Sequence, residues 1–105
     1  MSKPATTEWQ FREYVIAPGM FDAFLAAWRS GVLPLRRQFG FRVQAWAIPA
    51  ESRFVWTLAY SGPGTFAEAE RAYHASAART AVAPDPGQWV LEKHNSMVTP
   101  VATEA

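Results

Sequence analysis

Between Glu8 and Ala17, apolar and polar side chains share both faces of an extended segment. One face carries Gln10, Arg12, Tyr14 and Ile16, the other Trp9, Phe11, Glu13 and Val15. A strand with one face in water alternates more cleanly, so this one is expected to be covered on both sides. Pro18-Gly19 has the composition of a turn. The apolar spacing then changes to three and four, at Phe21, Phe24, Leu25, Trp28, Val32 and Leu35. That period predicts a helix over residues 20–38 with one buried stripe. Gly31 and Pro34 interrupt it. Proline lacks an N–H and its ring clashes with the preceding turn, so a kink, or a break with restart, is expected near Gly31. Gly40 is a suitable C-terminal stop.

Phe41, Val43, Ala45 and Ala47 alternate with Arg42, Gln44, Trp46 and Ile48, which predicts a second strand over 41–48. Residues 49–52 form a short hairpin loop. Residues 53–60 are almost all apolar, as expected of a central strand buried on both faces. Ser61-Gly62-Pro63-Gly64 is a loop. Thr65 followed by Glu68 makes a capping box for a second helix over 66–79. Pro84, Asp85, Pro86 and Gly87 mark a loop over 81–88. Residues 89–92 fit either a helical turn or a strand start, and a last strand follows over 93–101. The order β-α-β-β-α-β is the ferredoxin-like arrangement: α+β, a four-stranded antiparallel sheet with both helices on one face. The bare face needs a cover, and a second copy of the chain is the simplest one.

Composition sharpens that expectation. The 105 residues suffice for one domain, taken as residues 8–101 with flexible ends at 1–7 and 102–105. They include 5 Trp, 3 Tyr and 7 Phe, more aromatic area than a monomer of this size readily covers. The excess points to a self-association surface or an apolar pocket. Net charge is +1 with no basic block, so no nucleic-acid partner is expected. There are no cysteines, hence neither disulfides nor a thiolate metal site. No apolar run approaches the ~20 residues of a membrane span, and no signal peptide is visible. A soluble, cytoplasmic protein without a membrane partner is expected.

Candidate chemistry is sparse. Arg12 and Tyr14 share a strand face with Ile16, which is expected to pack under the helices. Arg12 offers a charged fork to a carboxylate or enolate, and Tyr14 a hydroxyl that can donate a proton. The alternative is a structural Arg12 paired with Glu13, Glu68 or Glu70, and a core Tyr14. His74 is the best-placed general base, since histidine titrates near neutrality. Trp28 and Trp56 are candidate walls of an aromatic pocket, or simply core. Tyr73 lies beside His74, and Arg79 ends the second helix as an anion anchor or a dipole partner. His74 and His94, without an acidic cluster, make no metal site.

The run Arg12-x-Tyr14-x-Ile16-x-Pro18-Gly19, with Phe24, Trp28, Leu33-Pro34-Leu35-Arg36 and Gly40-Phe41, resembles the NIPSNAP family. So do Ala83-Pro84-Asp85-Pro86 and the closing Met97-Val98-x-Pro100-Val101. The resemblance implies a dimeric α+β barrel, two ferredoxin-like monomers joined sheet to sheet. That superfamily hosts cofactor-free monooxygenases, haem degraders, isomerases and cyclases. Haem-degrading relatives keep an Asn on the first strand and a Trp and a His on the second helix. The corresponding positions fall near Arg12, Ala69 and Arg79, so no haem, and no other cofactor, is expected. Two readings of function remain. One is a cofactor-independent enzyme of isomerase, cyclase or monooxygenase type, acting on an apolar or aromatic anion between sheet and helices. The other is a non-catalytic dimeric binding or scaffold protein.

Overall fold

The computed structural model describes residues 6–104. β1 (Glu8–Ile16) lies between β3 (Arg53–Tyr60) and β4 (Val90–Val98), and β2 (Arg42–Ile48) lies outside β3. All pairings are antiparallel, giving the ferredoxin-like strand order β2-β3-β1-β4. Residues 1–5 and 105 of the expected loose ends lie outside the described residues, while residues 6–7 and 99–104 carry no regular secondary structure.

The first helix is irregular where Gly31 and Pro34 place it. α1 (Phe21–Ala27) runs into a π-helical turn, Trp28–Val32, and then α2 (Leu33–Gln38). The chain does not break, because Trp28, Val32 and Leu33 all keep right-handed helical angles. Instead, the Leu33 N–H donates to the Trp28 carbonyl, five residues back. Pro34 falls in the first turn of α2, where a missing N–H is tolerated. The residue inserted by the π turn rotates the last turn, so that Arg36 joins Leu35 on the buried face. Gly31 serves a close approach: a Cβ there would meet Val82 at 2.6 Å.

Two elements differ from the sequence reading by more than one end residue. The second helix divides at Ser76 into α3 (Phe66–Ala75) and α4 (Ala77–Thr80). Ser76 is extended, and its hydroxyl accepts the Arg79 N–H at 3.1 Å while donating to the Tyr73 carbonyl at 2.7 Å. One serine thus ends one helix and caps the next. The last strand covers Val90–Val98 rather than 93–101, preceded by a 3₁₀ turn at Pro86–Trp89.

The capping box forms as read. The Glu68 N–H donates to the Thr65 hydroxyl, and Glu68 Oε1 accepts the Thr65 N–H at 3.0 Å. A further carboxylate, that of Glu8 on β1, accepts the Phe66 N–H at 2.6 Å and ties the helix to the sheet. We expect Thr65→Ala to lose ~1 kcal/mol in urea unfolding. An unchanged midpoint would show that Glu8 alone holds the helix start.

Arg12, Tyr14 and Ile16 face the helices and are buried. Trp56 lies opposite Arg12, and Phe54 opposite Tyr14. Trp28 meets Trp56 edge-on at 5.4 Å and Phe54 at 4.9 Å, so the π turn packs on the middle of β3. The other sheet face presents Trp9, Phe11, Val15, Val55 and Thr57, only half-buried, and Trp46, exposed. None of these belongs to the core cluster. The expectation that β1 and β3 are covered on both sides therefore does not hold within the single chain, because every helix packs on the opposite face.

Candidate functional site

Register carries Arg12 into the space between sheet and helices, with Trp56 on one side and Asn95 on the other. Arg12 is 5 % exposed and Arg36, arriving from α2, only 1 %. Both guanidinium groups reach Glu70 on α3. Arg12 donates to Glu70 Oε1 at 2.9 Å. Arg36 grips the same carboxylate with both arms, at 2.7 Å to Oε2 and 3.0 Å to Oε1. Bidentate geometry makes the Arg36 pair the stronger contact. Arg36 also stacks on Tyr73, with its guanidinium carbon 3.8 Å from the ring centroid. Arg12 completes its contacts with Gln10 Oε1 at 2.6 Å and the Tyr14 hydroxyl at 3.2 Å.

One carboxylate cannot neutralise two guanidinium groups. Burial disfavours the Glu70 charge, but the hydrogen bonds and charge of Arg36, and then of Arg12, outweigh it and bring its pKa down to about 2. The trio therefore keeps one positive charge at neutral pH. Lys93 adds another at the rim, its ammonium 5.6 Å from the Tyr14 ring. Arg79 is neutralised by Asp85 at 3.1 Å.

His74 lies one helical turn beyond Glu70, with Nε2 2.7 Å from Glu70 Oε1. Because Glu70 is ionised, Nε2 is assigned as the N–H that donates to it, which leaves Nδ1 as an acceptor. Burial lowers the His74 pKa; Glu70 raises it, and the Arg36 and Arg12 charges lower it again. The imidazole is consequently neutral at physiological pH. Burial pushes the Tyr73 hydroxyl up, so it stays protonated as well.

Arg12, Tyr14, Arg36, Tyr73, His74 and Lys93 wall a cleft of about 60 Å³, and Glu70 lies behind the arginines rather than in its wall. All seven residues singled out in the sequence line it: Arg12, Tyr14, Trp28, Trp56, Tyr73, His74 and Arg79. Arg36, Lys93 and the central role of Glu70 were not anticipated. Arg36 reads locally as a cation at a helix C-terminus, and only the π turn brings it inside. Glu70 was one of several acids considered for Arg12, and nothing in its spacing shows that it holds two arginines and a histidine. Lys93 shares a strand face with Asn95 and Met97, a pattern that reads as solvent-facing.

Neither a family model nor a curated protein sequence matches this chain. Solved structures do match in fold. An uncharacterised NIPSNAP domain protein from Burkholderia xenovorans superposes with a TM-score of 0.79 at 19 % identity, over 93 % of this chain and 98 % of the other. A NIPSNAP family protein of unknown function from Agrobacterium tumefaciens gives 0.77 at 14 % identity, over 97 % and 95 %. A protein provisionally designated an antibiotic biosynthesis monooxygenase, from Nitrosomonas europaea, gives 0.69 at 15 % identity, over 96 % of each chain. At these identities the likeness establishes the fold, which agrees with the resemblance seen in the sequence, and assigns no reaction.

Proposed function

We propose that this protein is a cofactor-independent enzyme that moves a proton on an apolar or aromatic anion bound between sheet and helices. The observation that carries the reading is the sharing of one carboxylate by two buried arginines, beside a neutral histidine. Arg12 and the Tyr14 hydroxyl receive an oxygen of the substrate. His74 Nδ1 takes a proton from the carbon next to a carbonyl. The C–H electron pair moves into the C–C bond, and the carbonyl pair moves onto oxygen, giving an enolate. Where a further C=C is conjugated with the enolate, return of the proton from His74 to its far carbon completes an isomerisation; attack of the enolate carbon on a second carbonyl, whose oxygen then takes the proton from His74, completes a cyclisation. Transfer of the enolate's electrons to dioxygen would start a monooxygenation, the type of reaction for which the Nitrosomonas protein is named. The first deprotonation is common to all three. The functional unit is a homodimer closed through the bare sheet face.

The test is washout of the α-hydrogens of benzoylacetate and related aromatic β-keto acids in D₂O, followed by NMR. The wild type should accelerate exchange, and His74→Ala should lose about 10²–10⁴-fold. The rate should rise with pH as His74 loses its proton, on a limb set below the ordinary histidine range because burial lowers its pKa. Arg12→Met should weaken substrate binding more than it slows the bound reaction. A second reading, a dimeric binding or scaffold protein, draws on the narrowness of the cleft and on Glu70 already engaging both arginines. No exchange above background, together with a large stability loss in Arg12→Met and no retained small molecule in native mass spectrometry, would favour it.

A further inference from the structure

Lys93 stands at the mouth of the cleft, exposed to solvent, with its ammonium 5.6 Å from the Tyr14 ring. Among the described residues no carboxylate forms an ion pair with it. Asp85 feels its charge, but Asp85 Oδ1 already accepts from Arg79 at 3.1 Å and from the Gly87 N–H at 2.9 Å. Glu13 and Glu92 neighbour Tyr14 and Lys93 along their strands, so alternation sends them to the opposite face of the sheet. The cleft therefore holds two unmatched positive charges at neutral pH, one left on the buried Arg12–Glu70–Arg36 trio and one on Lys93. Resting on the proton-transfer reading above, we infer that Lys93 is a specificity-determining residue: it takes a carboxylate of the substrate while the reacting carbonyl lies at Arg12 and Tyr14, so the substrate is a β-keto carboxylate.

Register sets the spacing of the two cations. Lys93 pairs with Tyr14 across β1 and β4, and Arg12 is two residues from Tyr14 on the same face. Arg12 and Lys93 are thus diagonal cross-strand neighbours, ~7–8 Å apart at the backbone and with side chains long enough to meet one ligand. Tyr14 lies between them, its hydroxyl accepting from Arg12 at 3.2 Å and its ring toward Lys93. A β-keto carboxylate spans such a pair with one CH₂ between its two oxygen-bearing carbons. Its carboxylate meets Lys93 before any chemistry. When His74 takes a CH₂ proton, the C–H electron pair becomes the C=C of the enolate. A second negative charge then settles on the carbonyl oxygen, facing the charge left on the trio. The proton stays on His74 Nδ1, with Nε2 still against Glu70. Lys93 is used in the ground state and Arg12 most strongly in the transition state, a division that favours rate over mere binding. A ketone without a carboxylate leaves Lys93 unmatched, and an amine sets a cation against two others.

The experiment is an NMR titration of the ¹⁵N-labelled protein at low salt with monomethyl phenylmalonate and dimethyl phenylmalonate. The first carries a carboxylate and a carbonyl on the spacing of a β-keto acid; the second is its neutral ester. The wild type should bind the carboxylate about 5–10-fold more tightly, as one charge-assisted hydrogen bond at a solvent-open rim provides. Lys93→Gln should bring the two compounds within about twofold of each other while leaving the diester's affinity unchanged, and Lys93→Arg should keep the preference. In the D₂O exchange of benzoylacetate, Lys93→Gln should raise KM by a similar factor and change kcat less. Equal binding of the two compounds by the wild type, or a preference that Lys93→Gln leaves intact, overturns the role of Lys93 while leaving a small-molecule cleft. Failure of both compounds to shift any signal overturns that role and the cleft reading together. A Lys93-dependent preference in a protein that exchanges no α-hydrogen supports the carboxylate anchor and overturns the proton-transfer reading alone.

Discussion

Glu70→Gln is expected to cost the fold about 3–5 kcal/mol, the usual penalty for removing one partner of a buried ion pair. The amide has the size of the carboxylate, so little packing changes. It leaves Arg12 and Arg36, both almost wholly buried, with no counter-charge. For a chain of this size the melting temperature should fall by roughly 10–20 °C. Glu68→Gln, two residues earlier in α3 and exposed, should lose ~1 kcal/mol at most, through the capping box. A Glu70→Gln loss no larger than that of Glu68→Gln would show that the arginines find other partners or water.

The same pair predicts the acid limb of stability. Glu70 has a folded pKa of about 2 against an ordinary value of 4.5. A depressed carboxylate stabilises the fold fully above the ordinary value and loses that contribution as pH falls through the folded one. The wild type should therefore weaken between about pH 4.5 and 2, and Glu70→Gln should lack that part of the slope. Glu70 also raises the His74 pKa against the effect of burial. Its removal should move the base limb of any exchange activity to still lower pH.

What was legible in the sequence depended on how far apart the causes lie. Strand faces and caps are set within a few residues, so the shared face of Arg12, Tyr14 and Ile16 and the Thr65–Glu68 box could be read directly. The disturbance at Pro34 was readable for the same reason, although its form was not. A proline announces a lost hydrogen bond, but whether the helix breaks or inserts a residue depends on what packs beneath it. Here Trp28 lies against Phe54 and Trp56, and Gly31 admits Val82. Arg36 was hidden for that reason: its burial is a tertiary consequence of the π turn. Ser76 was missed because a serine inside an apolar-spaced helix looks like any polar position. Its hydroxyl becomes a cap only when the Arg79 N–H, three residues on, turns toward it. The last strand is placed too late in the sequence because residues 89–92 fit either a helical turn or a strand start; in the structure the 3₁₀ turn ends at Trp89 and pairing begins at Val90.

Thr57→Lys should convert the proposed dimer into a monomer. Thr57 sits in the central strand β3 on the face away from the helices, beside Phe11 of β1 and Gln44 of β2. Around it lie Trp9, Val15, Val55 and Trp46, aromatic and branched groups that the chain's own helices do not cover. On the same face Arg42 lies 5.8 Å from the Trp9 ring, and Arg53 reaches across from β3 to donate to Glu13 of β1 at 3.2 Å. A stable sheet-to-sheet contact should bury well over ~1,000 Å² and place Thr57 near its centre. In the monomer a lysine there can bend its ammonium into water along the half-open face, so the fold should survive. In the dimer the same charge would be buried beside a single carboxylate, Glu13, that Arg53 already holds, a cost of several kcal/mol for each of two copies. Sedimentation equilibrium at micromolar concentration should give twice the 11.7 kDa chain mass for the wild type and the single-chain mass for the variant. Circular dichroism of the variant should stay unchanged. A wild type that sediments as a monomer would remove the cover proposed for this face. A Thr57→Lys protein that remains dimeric would place the contact elsewhere, at the free edges of β2 or β4.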